Sequence, residues 1–109
     1  MERINQLTDI VQREVMDYHG PAFKAKTYYF EDFANQAFTV VIVPDYQYPR
    51  KSKTTVTVMA HIVGNRVVID EDITDRPLYE ALMSAGVPRE QIVLAYAGEA
   101  LPAEKDKSE

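Results

Sequence analysis

At 109 residues the chain has the size of one domain, long enough to bury roughly two-thirds of its unfolded surface without covalent staples. It has no cysteine, which excludes disulfides, thiolate catalysis and cysteine-bound zinc together. Twelve Lys and Arg against seventeen Asp and Glu leave a net charge of −5, the wrong sign for gripping nucleic acid by counterion release, so strong autonomous DNA binding is not expected.

The chain opens on MERINQLTDI, charged and amphipathic instead of basic and then apolar, and no run approaches the ~20 apolar residues of a membrane span. A cytoplasmic protein is expected. Ile4, Leu7, Ile10, Val11, Val15 and Tyr18 fall on one stripe at helical spacing, with Asn5, Asp9, Gln12, Arg13 and Asp17 opposite, which predicts an amphipathic helix of about four turns. Gly20 in the left-handed conformation and Pro21 after it should stop that helix near His19. The stripe reads as core, with a homodimer seam as its alternative use.

AKTYYF at 25–30 and AFTVVIVP at 37–44 are rich in aromatic and β-branched residues and read as paired strands. Pro44, Tyr46, Tyr48 and Pro49 then break the pattern, and Arg50, Lys51 and Lys53 belong to an exposed connection. Val56, Val58, Ala60 and Ile62 alternate with Thr55, Thr57, Met59 and His61, the two-residue period of a strand with one buried face. Gly64-Asn65 is a hairpin turn signal, and RVVIDE is the return strand. Four strands joined in sequence predict an antiparallel meander in an α+β fold.

A second helix is predicted near 76–85, with Thr74 or Asp75 capping its first amides and Pro77 in its first turn. Leu78, Ala81, Leu82 and Ala85 form its apolar edge, and Gly86-Val87-Pro88 specifies a left-handed stop. A short turn at Arg89–Gln91 then launches Ile92–Tyr96 as a buried strand or extended segment. One domain over 1–97 is expected, followed by a polar tail, 98–109, disordered or loosely docked.

Each chemically suggestive residue also has a structural explanation. His61 reads as a solvent-facing or core-edge strand residue, and His19 as a favourable charge at a helix end. Asp70, Glu71, Asp72 and Asp75 lack the glycine and distal glutamate of a calcium loop, and Asp70 and Glu71, as neighbours in a strand, point to opposite faces. They read as solvated charges at a helix entry. Arg50, Lys51 and Lys53 with Tyr46 and Tyr48 form a basic and aromatic loop, and Lys24 and Lys26 are the other basic pair of note. No residue is assigned a catalytic, cofactor-binding or metal-binding role.

The strand Val67-Val68-Ile69, the acidic Asp70-Glu71-Asp72 with Thr74-Asp75, the stop Ala85-Gly86-Val87-Pro88 and the following Arg89-Glu90-Gln91-Ile92-Val93-Leu94 occur in an order that resembles the XisI-like family. These are controlling factors for excision of the fdxN element in heterocyst-forming cyanobacteria. The resemblance implies a non-enzymatic regulator of programmed DNA rearrangement, acting through a protein partner, an XisH-like protein, while a separate recombinase cuts and joins the DNA. It supplies no catalytic position and no cofactor. Two other classes stay open: a small metal-dependent hydrolase or nuclease using Asp70, Glu71 and Asp72, and a small-ligand-binding domain.

Overall fold

The computed structural model describes residues 2–45 and 53–101, with side chains from Gln6 onward. Ile4's side chain, Tyr46, Tyr48, Arg50, Lys51 and residues 102–109 of the expected tail lie outside the described residues. Helix α1, Glu2–Met16, carries the predicted stripe: Leu7, Val11 and Val15 are buried, and Ile10 and Tyr18 pack partly against the core. The helix stops earlier than expected and without a left-handed Gly20. Tight turns close it instead, as the Tyr18 and His19 amides donate to the Val15 and Met16 carbonyls. Gly20 has another task. Its N–H donates to Thr27 Oγ1 at 3.0 Å while that hydroxyl donates to the Gly20 carbonyl at 2.7 Å, so one side chain satisfies both backbone groups.

Four strands follow as the expected meander: β1 (Ala25–Asp32), β2 (Ala37–Pro44), β3 (Thr55–Val63) and β4 (Arg66–Asp72). A fifth, β5 (Ile92–Leu94), joins the edge beside β4, giving the order β1-β2-β3-β4-β5. It runs parallel to β4 because helix α2, Leu78–Ser84, carries the chain back before it. Gly64 takes φ 62° in the two-residue turn between Val63 and Arg66, as a tight hairpin requires.

Both helices lie on one face of the sheet. Phe38, Val40, Val58, Ala60, Val67 and Ile69 meet Leu7, Val11, Val15, Leu78 and Leu82 there, nearly all without solvent exposure. The strict alternation expected for 55–62 fails at one point. Val40 opposes Val58 but Val41 opposes Val56, so Thr57 is the extra residue of a bulge and Val56 turns to the face away from the helices. A second bulge follows in β4, where Ala60 opposes Ile69 and Met59 opposes Glu71, leaving Asp70 unopposed.

The entry to α2 differs from expectation. Neither Thr74 nor Asp75 caps it; Pro77 precedes its first turn, and Asp72 supplies the acceptor. Its exit is as expected: Gly86 takes φ 107°, the Val87 amide reaches back to the Leu82 carbonyl at 3.0 Å, and the buried Val87 packs in the core. The turn Arg89–Gln91 then delivers Ile92 and Val93, both buried.

Candidate functional site

The three consecutive carboxylates diverge. Asp72, opposite Val58, turns toward the helices, where Oδ1 accepts the Thr74 N–H at 2.9 Å and the Thr74 hydroxyl at 2.6 Å while Oδ2 accepts the Leu78 N–H at 2.7 Å. One side chain thus folds the turn 72–78 and caps α2. Glu71 is exposed opposite Met59 on the other face. Asp70, released by the bulge, places Oδ2 2.8 Å from Nδ1 of His61. Asp75 is exposed. Among the described residues no three His, Cys, Asp or Glu side chains converge to hold a metal ion.

The His61–Asp70 pair is the one association of suggestive residues that reading the residues alone missed. Its signal was present: the Gly64-Asn65 turn sets His61 opposite Val68, and Asp70 lies two positions along the same strand. The pair is half-buried, 27 % and 30 % exposed, and fixes the imidazole ring. Among the described residues the His61 ring makes no other hydrogen bond. His19 is exposed and its amide closes the end of α1. Lys53 is exposed, its carbonyl accepting the Thr55 hydroxyl, and the Lys24 ammonium lies 5.5 Å from the Phe23 ring centre.

Two further clusters set the frame. Tyr18 donates its hydroxyl to the Arg76 carbonyl while the Arg76 guanidinium covers the Tyr18 ring at 4.4 Å and pairs with Asp17 at 3.3 Å, tying α1 to the approach to α2. Burial raises the Tyr18 hydroxyl above its ordinary pKa, opposed by the Arg76 charge. Beyond β5, Glu99 accepts the Leu94 N–H at 2.9 Å and pairs with Arg89 at 2.7 Å, and these bonds, the amide first, hold its carboxyl below the usual range. Arg89 also donates to the Ile92 carbonyl at 2.7 Å. Between α1, the hairpin turn and the end of α2 lies a cleft of about 180 Å³, lined by Leu7, Ile10, Val87 and Gln91 among others.

The face of the sheet away from the helices is the larger feature. Register places Tyr28 beside Val41, Phe30 beside Thr39 and Met59, and His61 beside Val68 and Val93 on it. Tyr28 and Phe30 remain 44 % and 56 % exposed, with rings 6.4 Å apart and nearly parallel. The β1 end of this face bears the exposed aromatics, rimmed by Lys26, Asp32 and Glu71, and has the composition of an interaction surface, whereas Val68 and Val93 at its other end are buried.

The fold is shared with solved structures. A XisI-like protein from Anabaena variabilis ATCC 29413 superposes with a TM-score of 0.72 at 20 % identity, over 84 % of each chain. The fdxN element excision controlling factor XisI from the same organism gives 0.69 at 14 % identity over 86 % of each. No curated protein matches. The family described as XisI protein matches residues 1–104, nearly the whole chain. The chain therefore belongs to the XisI family.

Proposed function

We propose that this protein is a non-enzymatic controlling factor for excision of a DNA element, acting in the cytoplasm through a protein partner of the XisH-like kind. Family membership and the fold shared with an excision controlling factor support the process. The open sheet face carries the mechanism: it keeps Tyr28 and Phe30 in solvent beside half-buried Met59, where contact with another protein removes them from water. The carboxylates that a nuclease would need are engaged separately, Asp72 with backbone amides and Asp70 with His61.

Capture of a co-expressed XisH-like protein tests the reading. The parent should retain it, and Met59→Lys, which places a cation on the open face opposite Glu71, should lose it while staying folded. Equal capture by the variant, or no capture by the parent, sinks the proposal. Incubation with supercoiled and single-stranded DNA plus magnesium or manganese tests the rival hydrolase. Cleavage that disappears when Asp70, Glu71 and Asp72 are all replaced by alanine would establish it instead.

A further inference from the structure

Strand β1 is an edge strand, and its free side is patterned for a copy of itself. The hydrogen-bond phase follows from one flanking bond: the Asp45 amide donates to the Lys24 carbonyl, so Lys24 and every second residue after it bond toward β2. The intervening residues Thr27, Tyr29 and Glu31 therefore aim their N–H and C=O groups outward. Among the described residues nothing pairs with that edge after the local bridge between Ala22 and Ala25. That bridge closes the edge before Lys26, and the 3-10 turn Phe33–Asn35 closes it after Asp32. The open stretch is Lys26–Asp32, with Tyr29 at its centre.

We propose that two copies of this chain pair antiparallel through β1, with Tyr29 opposite Tyr29 on the two-fold axis, joining two five-stranded sheets into one of ten strands. The outward groups match without adjustment: Tyr29 bonds Tyr29 of the second copy, and Thr27 bonds its Glu31, in both directions. The side chains match in the same register. Lys26, Tyr28, Phe30 and Asp32 share the open face, since each bonds toward β2 in the same phase. Pairing about Tyr29 sets Lys26 against Asp32 of the second copy and Tyr28 against its Phe30, and the symmetry repeats both pairs. Shifting the axis to Tyr28 or to Phe30 keeps the hydrogen-bond phase but opposes Lys26 to an aromatic or Tyr28 to a carboxylate, so charge complementarity selects Tyr29.

Glu31 does not obstruct this pairing. Its carboxylate is held toward the helix side by Gln12 Nε2 at 2.9 Å and the Tyr29 hydroxyl at 2.6 Å. Charged residues on an edge strand normally prevent promiscuous pairing; here Lys26 and Asp32 complement each other in one antiparallel register, lose that complement in a shifted one and oppose like charges in a parallel one. The dimer also brings the two Tyr28–Phe30 rows together in one continuous aromatic strip. Self-pairing does not depend on the excision reading, and Met59, the residue that tests that reading, lies two strands away.

A charge swap and a cross-link test the proposal on the full chain. Sedimentation over a dilution series should show a dimer, weakened about tenfold by Lys26→Asp or by Asp32→Lys alone and restored when both are combined. Because the chain has no cysteine, Tyr29→Cys creates a single thiol facing its own copy at the ~5.5 Å Cα separation that a disulfide accepts. Mild oxidation should give a covalent dimer with Tyr29→Cys and none with Met83→Cys, an exposed site on α2. A monomer at every concentration, equal cross-linking at both sites, or a double swap no better than the single variants overturns the inference. So does a chain that shields Cys-substituted position 29 only after an XisH-like protein is added, since a foreign strand would then occupy the edge.

Discussion

Replacing Asp72 by alanine removes one acceptor from three donors, two backbone amides and the Thr74 hydroxyl. The magnitude follows from what each donor does next. The Leu78 amide sits at the start of α2 above a fully buried Leu78 side chain, so its loss has the character of a deleted helix cap, about 1–2 kcal/mol. The Thr74 groups lie in a partly exposed turn where water replaces much of the bond, adding about 1 kcal/mol. The sum, about 2–3 kcal/mol, corresponds to a melting temperature about 10 °C lower for a domain of this size. Asp72→Asn keeps one carbonyl acceptor and should fall about midway. Asp70→Ala breaks only a half-exposed pair with His61 and should cost about 0.5–1 kcal/mol. Glu71→Ala, on an exposed residue, should stay within about 0.5 kcal/mol. Urea unfolding with a common slope reads all four. If Asp72→Ala proves no more costly than Asp70→Ala and Glu71→Ala, the three carboxylates act as a group and the assignment of Asp72 to the turn is wrong.

Gly86→Val places a β-branched residue at φ 107° with open space around its Cβ, so backbone strain alone should cost at least about 1 kcal/mol, while Ser84→Ala on the exposed side of α2 should change little; equal stability of the two in urea would remove Gly86 from the account of the helix stop. Glu99 has a lowered carboxyl pKa, so its contribution is present above the ordinary carboxylate range and is lost as pH falls through the folded value. Thermal melts of Glu99→Gln should therefore converge with those of the parent as the medium is acidified, and a constant gap at all pH values would contradict the linkage. Given −5 net charge, fluorescence anisotropy at physiological salt should find duplex DNA binding by the isolated chain weaker than roughly 10⁻⁵ M; sub-micromolar binding would refute the electrostatic argument.

Local signals in the chain were enough for much of this architecture. The α1 stripe, the two-residue period through Val58, Ala60 and Ile62, the Gly64-Asn65 turn and the Gly86-Val87-Pro88 stop each act within a turn or along one strand, where neighbouring residues alone select the conformation. The motif order around Val67–Leu94 was sufficient to point to the family. What escaped the sequence lies between segments. Asp72 captured the α2 amide, in place of the nearer Thr74 and Asp75, because its place opposite Val58 turned it toward the helices. The bulges at Thr57 and Asp70 arose from how three strands align, and the second freed Asp70 to reach His61. IVLAY could be read as extended, yet only the crossover through α2 made part of it a parallel fifth strand. Whether Tyr28 and Phe30 faced core or water was undecidable from AKTYYF, where aromatic residues are consecutive and period-two contrast is lost. The packing of both helices on the opposite face decided it, because that layer leaves Tyr28 and Phe30, at the β1 edge of the other face, in solvent.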